Sequence, residues 1–379
     1  MEPPTAVPPP RAPALRVVQW TTGIVGSAAL RAILDDPRLE LVGVYAFGPE
    51  KVGIDAGTIA GVDPNHPTRV TATDDIDALL ALKADCVVYM PQWPDIAVLE
   101  RILESGANVI TTARLVTGAH YPEDAGARLE RAAVRGGVSL FGTGMNPTYV
   151  PTLALAATAM CRRVTRLSIT ESLDCALYGA APTWEAYGFG TPLEPDRLQS
   201  ELWAAEPDYL EILDVMASAL DVTLDDHILS VDYATATEDR DLGFMTIGKG
   251  TVAALDARWV GLVDETPFVE MRTTWKLGSI FGYRQEPDWP LLHGYRIDID
   301  GDPEVHLKLN FMPADLDNID AGVTTALPAI NAIPAVCSAA PGVVTAADLP
   351  LVTGRGSPAA SPGQQKGTTD PRRSAPASG

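Results

Sequence analysis

Residues 16–30 read RVVQWTTGIVGSAAL, a β-branched and aromatic run that halts at Thr21 and Thr22 and is followed by two glycines three apart, Gly23 and Gly26. Val17, Val18 and Trp20 have the bias of a buried parallel strand. From Ser27 onward the spacing turns helical, with Leu30, Ile33 and Leu34 on one face. A strand, a tight turn and a helix in that order suit a diphosphate, because the unpaired N–H groups and positive dipole end of the helix point at it. Thr21, Thr22, Gly23, Ile24, Val25 and Gly26 are therefore the candidate cofactor-binding turn. Gly23 lets the backbone approach the phosphates, and Gly26 lets the helix pack close to the strand. The full G-x-G-x-x-G fingerprint would need glycine where this chain has Thr21, so the turn alone leaves open an ordinary strand-to-helix connection.

The neighbouring sequence decides between them. Residues 39–47 (LELVGVYAF) read as a second buried strand, followed by a helical segment from Asp74. Residues 84–91 are a strand, 95–106 a helix, 108–113 a strand, 127–137 a helix, 138–144 a strand and 147–160 a helix. This alternation predicts an α/β fold, a doubly wound parallel Rossmann sheet with its ligand at the carboxyl ends of the strands. Beyond residue 162 the pattern becomes apolar-polar alternation, in 163–174 and repeatedly across 228–311. That predicts a second, α+β domain with a mostly antiparallel sheet, interrupted by a helical insert at 198–221. Residues 324–350 read as an apolar helix, expected over 318–338, and a loop, both returning to the first domain. The expected division is a disordered tail (1–14), a Rossmann dinucleotide-binding domain (15–150), the second α+β domain (151–313), the returning segment (314–352) and a disordered Gly-, Pro-, Ser- and Ala-rich tail (353–379).

With 379 residues, 46% of them hydrophobic, the chain can bury two cores. A net charge of −21 excludes nucleic acid and anionic membranes as partners. Cys86, Cys161, Cys175 and Cys337 are far apart and form no CxxC pair. Neither a disulfide framework nor a metal site is expected, and the thiols suit a reducing, cytoplasmic setting. The first residues, MEPPTAVPPPRAPA, contain no apolar core for a signal peptide, and no segment has the apolar length of a membrane span.

The predicted strand ends offer Thr21 and Thr22, Pro91 and Gln92, Thr111 to Arg114 (including Thr112 and Ala113), and Gly144 to Asn146 to a nicotinamide cofactor. After the second strand the chain reads AFGPEK, without the acid that reads the ribose of NAD directly at the strand end. Lys51 favours NADP(H); Glu50 beside it leaves NAD(H) open.

QWTTGIVG, NVITTARLVTG, GTGMNPTYV and NAIPAVCSAAPGVVTAADLP together resemble the dihydrodipicolinate reductase-like oxidoreductases, in particular the 2,4-diaminopentanoate dehydrogenase and native amine dehydrogenase branch. The resemblance runs from about Arg16 to Val352. It implies a Rossmann domain and a second domain that forms homodimers and half the substrate pocket. It also implies NAD(P)H-dependent reductive amination of a carbonyl or its reverse, and a last helix that closes the cofactor site and brings Asn331 to it. True dihydrodipicolinate reductases carry a paired histidine followed by a lysine in the second domain; no two histidines are adjacent here, so that activity is not expected. The resemblance further implies an acid just after the NVIT-type strand to hold the amine and shuttle a proton, but Arg114 stands there. A cation in that seat repels an ammonium and attracts a carboxylate or polarises a carbonyl oxygen.

Glu171, on the first strand of the second domain, is the leading candidate for a general acid or base, with Asp174 expected on the opposite strand face. His120 has a suitable ordinary pKa for proton transfer and Arg114 completes the catalytic candidates. Trp93, Trp184 and Tyr187 are candidate cleft walls, and residues 179–192 either a lid or a surface loop. The reading is an oxidoreductase moving hydride between nicotinamide and a C=O or C=N carbon of a small, mostly apolar carbonyl or amine substrate. Carbonyl reduction without amine chemistry and a non-catalytic NADP(H) sensor remain open alternatives.

Overall fold

The computed structural model describes residues 13–62, 67–176, 178–278, 283–284, 289, 292–311 and 322–356. Strand β1 (Leu15–Trp20) feeds helix α1 (Ile24–Asp35) through the glycine turn. There follow β2 (Leu39–Tyr45), α2 (Ala56–Ala60), β3 (Ala72–Thr73), α3 (Ile76–Leu80), β4 (Cys86–Tyr89) and α4 (Ile96–Glu104). Then come β5 (Asn108–Thr111), α5 (Ala125–Gly136), β6 (Ser139–Gly142), α6 (Val150–Thr158) and β7 (Arg163–Asp174). The second half contains α7 (Ala181–Ala186), α8 (Pro195–Ala205), α9 (Pro207–Ser218), β8 (Asp226–Ala236), β9 (Arg240–Asp241), β10 (Thr246–Ile247), β11 (Val252–Val263) and β12 (Thr266–Lys276). It ends with β13 (Tyr283–Arg284), β14 (Gly294–Asp302), β15 (Val305–Asn310), α10 (Val323–Val336) and β16 (Gly342–Val344).

The first sheet has the order β16-β6-β5-β4-β1-β2-β3, and its paired strands run parallel. Alternate residues serve opposite cores: Val18, Val87, Val109 and Leu140 pack on one side, Val17, Val88 and Ile110 on the other. Burial on both faces is why these strands read as uninterrupted apolar runs. The returning segment does more than the expected helix and loop. Its helix α10 places Ala326, Ala329, Ile330 and Ile333 in the core beside Val17 and Ile33, and β16 then extends the sheet beyond β6. Residues 318–321 of the helix expected over 318–338 lie outside the described residues.

The second sheet has the order β13-β8-β11-β12-β7-β14-β15. Its pairs are antiparallel except β12 with β7, so it is mixed. One face packs Leu255, Ala257 and Trp259 against α9 and α6, whose Val150, Ala154, Ile212 and Leu213 share that core.

Local chemistry corrects three expected elements. The insert at 198–221 is two helices, because Pro207 disfavours helical geometry at Glu206, which sits at φ −124°, ψ 54°. The helix expected from Pro147 begins as a wide turn at Met145–Tyr149 and becomes regular at Val150. Residues 181–186 of the supposed lid or surface loop form α7, whose Trp184 is buried against Tyr178, Phe189 and Trp275.

Candidate active site

The carboxyl ends of β1, β4 and β5 open into a cavity of about 1010 Å³ whose far wall is the second domain. Gly23, Ile24 and Val25 line it from the turn, Pro91 and Gln92 from the end of β4, Thr112 and Arg114 from the end of β5, and Asn146 after β6. Val323, Thr324 and Thr325, the first turn of α10, also line it.

The turn meets the needs of a dinucleotide. No side chain caps α1 and no acid occupies its first turn. A Cβ on Gly23 would meet nothing within 4 Å, so that face of the backbone is open toward the cavity. A Cβ on Gly26 would sit 2.3 Å from the Thr21 carbonyl oxygen, so the close approach of turn and helix excludes any side chain there. The Thr21 hydroxyl is buried without a partner. An uncapped helix start, an open glycine and an unpaired hydroxyl together fit the pyrophosphate and ribose of a nicotinamide dinucleotide. Lys51 Nζ donates to the Thr22 carbonyl at 2.7 Å, which ties the loop after β2 to this turn.

The opposite end is acidic and aromatic. An irregular strap, residues 112–121, leaves β5 and is fastened to α9: Glu211 accepts from Val116 N and Thr117 N, each at 2.8 Å, and from His120 N at 3.2 Å. The Leu115 carbonyl of this strap lies 2.0 Å from where a Cβ on Gly142 would stand, so the glycine of the GTG segment makes room for it. Arg114 at the head of the strap forms an ion pair with Glu206 and lies over the rings of Trp93 (4.2 Å) and Tyr187 (4.9 Å). Glu206 and Asp208 are 1% and 2% exposed. Burial pushes Glu206 up to about 8, against the pull of Arg114, and Asp208 up to about 7 against the same pull. Glu206 bonds the guanidinium and Asp208 feels its charge, so the two carboxyls titrate as a coupled pair. Asp208 Oδ1 has no partner.

Glu171 is also buried and lines the cavity. Burial raises its pKa, while Tyr295, Asn146 and Trp275 draw it back by hydrogen bonding. The Tyr295 hydroxyl donates to it at 2.7 Å and Asn146 Nδ2 donates to its other oxygen. Asn146 Nδ2 also donates to the Tyr209 hydroxyl at 3.0 Å. Leu173, Tyr178, Trp184, Tyr187 and Trp275 make the apolar wall, with Tyr187 and Trp275 in edge contact at 4.8 Å.

The family of the 2,4-diaminopentanoate dehydrogenase C-terminal domain matches residues 149–359, more than half of the chain. The chain belongs to this family. It is 29% identical over 362 residues to an amine dehydrogenase of Streptomyces virginiae, covering 89% of this chain and 96% of that protein. It is 26% identical over 347 residues to the 2,4-diaminopentanoate dehydrogenase of Acetoanaerobium sticklandii, covering 89% and 94%. The solved structure of an amine dehydrogenase from Mycobacterium smegmatis shares the fold, with a TM-score of 0.75 at 21% identity over 90% of this chain and 97% of that one. The chain is thus an NAD(P)-dependent oxidoreductase of the family, with the Rossmann and second-domain architecture expected from its sequence.

Against this family background, the structure brings together Gly23, Ile24, Val25, Pro91, Gln92, Thr112, Asn146, Arg114 and Glu171 around one cavity. Thr21, Thr22, Gly26 and Lys51 lie in and behind the turn that supports it. Ala113 is fully buried in the first core, and Asn331 lies beyond the cavity-lining first turn of α10. His120 is absent from the cavity lining: its Nε2 is 2.6 Å from Asp214 on α9. Asp174, expected to face away from Glu171, lines the cavity as well: it is the last residue of β7, and its Oδ1 accepts from Ala176 N at 3.0 Å and Gly278 N at 3.1 Å. Trp184 and Tyr187 line the cavity, while Trp93, half-exposed, covers Arg114.

The sequence reading missed Glu206, Asp208, Tyr209 and Tyr295. One signal was available for the acids: in AAEPDYLEILD, Glu206, Asp208 and Glu211 share a helix start with Tyr209, Leu210, Ile212 and Leu213. Three carboxylates in a segment that apolar must be buried with partners or be functional.

Proposed function

We propose that this chain is an NADP(H)-dependent amine dehydrogenase, interconverting a small, mostly apolar ketone or aldehyde plus ammonia with the corresponding amine. One observation carries the reading: the arginine in the amine seat is neutralised. Arg114 is paired with Glu206 and faces Asp208, so the cluster presents one cation and two carboxyls, and its mobile proton replaces the single acid implied at position 114. A substrate ammonium meets a site of no net positive charge once one of the two carboxyls is ionised, as pH rises through about 7 to 8. The relatives named as amine dehydrogenase and 2,4-diaminopentanoate dehydrogenase support the same chemistry.

The nicotinamide, when bound, supplies or accepts the hydride. In the aminating direction, the Glu206–Asp208 pair gives a proton to the departing carbinol oxygen as water leaves, and takes one back from solvent or ammonium. Glu171, held by Tyr295 and Asn146, orients Asn146 toward the cofactor end and makes the second acidic contact for the nitrogen. Trp184, Tyr187 and Trp275 exclude water and set the apolar character of the substrate.

The cofactor residues of this proposal are Gly23, Ile24 and Val25 at the pyrophosphate, Lys51 at the adenosine end, and Thr112 and Asn146 toward the nicotinamide. A cytoplasmic homodimer belongs to the same reading. The four free thiols suit the reducing compartment, and the homodimer follows the family resemblance. Among the described residues no helix is long and apolar enough to cross a membrane.

The deciding experiment is NADPH oxidation over a panel of apolar ketones and aldehydes, with and without ammonia. Turnover that requires ammonia and yields the amine by mass spectrometry upholds the proposal. Turnover to the alcohol without ammonia replaces it with carbonyl reduction; tight cofactor binding without turnover replaces it with a sensor.

A further inference from the structure

Outside the cavity, three chemistry-bearing side chains from three separate elements converge. His120 lies in the strap, Asp214 on α9 and His227 on β8. Their sequence separations from Asp214 are 94 and 13 residues, so no spacing motif announces them. His120 Nε2 is 2.6 Å from Asp214 Oδ2, and His227 Nε2 is 2.9 Å from Asp214 Oδ1. One ligand atom from each of the three lies within 4.8 Å of the others. The two rings meet edge to face, with centroids 5.3 Å apart.

We propose that His120, Asp214 and His227 form a binding site for one first-row divalent transition ion, with Zn²⁺ the natural occupant. An ion about 2.0–2.2 Å from each donor in tetrahedral geometry separates neighbouring donor atoms by roughly 3.4 Å, so the three donors, already within 4.8 Å of one another, reach it by small side-chain rotations. Two imidazoles and one carboxylate favour zinc, cobalt or nickel over magnesium or calcium, which prefer all-oxygen shells. With both rings in the Nδ1–H tautomer the Nε2 lone pairs face the ion, and the remaining positions fall to water. The three side chains are partly exposed, at 27%, 43% and 17%, so an ion can enter. The chain's net charge of −21 raises the local concentration of cations.

The consequence is mechanical. Glu211, one helical turn before Asp214, already fastens the strap through three backbone N–H groups. The ion adds a second clamp between the same strap, which carries Arg114, and the same helix, which carries Asp208 at its start.

The test uses the untagged full-length chain stripped with a chelator. Calorimetric titration with ZnCl₂ and absorbance titration with CoCl₂ are expected to give one saturable equivalent. At about a hundredfold excess over Kd, the Tm is expected to rise by roughly 5 °C. Amide exchange of residues 116–120 slows in the loaded form. His120→Gln and His227→Gln, which keep a donor toward Asp214, each weaken binding by at least about tenfold. His306→Ala, an exposed histidine paired with Asp298 elsewhere, leaves it unchanged. The metal-free Tm of each variant reports folding, and if one glutamine variant fails to fold the other carries the comparison. Absence of saturable binding by the wild-type chain, or binding undiminished in both glutamine variants, overturns the site. None of these readouts passes through turnover, so the result stands apart from the identity of the substrate.

Discussion

The Gly23–Gly26 turn at one end of the cavity is four consecutive residues, and its chemistry is backbone: N–H groups, an open α-carbon and a close approach that bars a side chain. The acid end joins Arg114 to Glu206 across 92 residues, and its chemistry is side-chain charge removed from water. Local backbone chemistry leaves a local signature; a buried charge cluster leaves its members scattered and each looking ordinary. The two ends also differ in what they tolerate. The turn has free space on one side and none on the other, whereas every member of the acid cluster depends on the ionisation of its neighbours.

The largest effect that separates the two ends is expected for Gly23→Val. Its side chain points into open space, so the Tm should stay close to wild type, while the pyrophosphate seat is filled. The Kd for NADPH should rise several hundred-fold, about 3.5 kcal/mol, by fluorescence titration. Gly26→Ala should behave in the opposite way, losing ~1–3 kcal/mol of stability because its methyl meets the Thr21 carbonyl. Unchanged NADPH affinity in Gly23→Val would remove the turn from the cofactor site.

Asp208→Asn comes next and tests the acid end. It leaves the Arg114–Glu206 pair in place but removes the mobile proton, and kcat should fall roughly a hundredfold with KM for NADPH unchanged. In the wild-type enzyme, amination should decline as pH rises through about 7 to 8, because the pair must be protonated to donate, and deamination should rise over the same range. In the variant the limb set by Asp208 near 7 should be lost and only that of Glu206 should remain. The stability sign follows from the same shift. Asp208 is raised from an ordinary value near 4 to about 7, so the stability its neutral form contributes is complete below about 4 and is lost as pH rises through about 7. Denaturation measured from pH 4 to 8 should therefore show the asparagine variant gaining on wild type, most of the gain falling below about 7. A constant gap across that range would mean that Asp208 stays ionised throughout.

The difference between the two ends also accounts for what the sequence made legible. Strand β1, the turn and α1 follow from Val17, Val18, Trp20 and the glycine pair, because period and turn chemistry are local. The alternation of strands and helices gave the parallel sheet for the same reason. Pro207 was a local signal too, and with Glu206 before it predicts the break in the 198–221 insert that periodicity alone ran through. Arg114 was legible as a departure, yet its compensation was not, since no local rule links it to Glu206 and Asp208. Glu171 drew notice from its place on the first strand of the second domain, opposite the predicted Rossmann face, and it lines the cavity; its partners Tyr295 and Asn146 come from a strand 124 residues later and a turn 25 residues earlier, which no local rule links to it. His120 looks like a free loop histidine in the sequence, whereas in the structure it lies beside Asp214 and outside the cavity lining.

The smallest expected effect concerns the loop behind the turn, the proposed seat of the adenosine half of the cofactor. Lys51 Nζ donates to the Thr22 carbonyl at 2.7 Å, and Glu50 folds its carboxylate against Gly48, so a cation and an anion flank the same seat. A 2′-phosphate would draw on the lysine as a point charge, whereas the free ribose hydroxyls of NAD would draw on the glutamate. Lys51→Ala should raise KM for NADPH about tenfold, ~1.4 kcal/mol, and leave KM for NADH within about twofold. Glu50→Ala should do the reverse, weakening NADH and sparing NADPH. The turn itself is common to both cofactors, so a variant acting through the turn must weaken both alike. If Lys51→Ala raises the two KM values by the same factor, the lysine serves the shared pyrophosphate by holding Thr22, and the preference for NADP(H) loses its support.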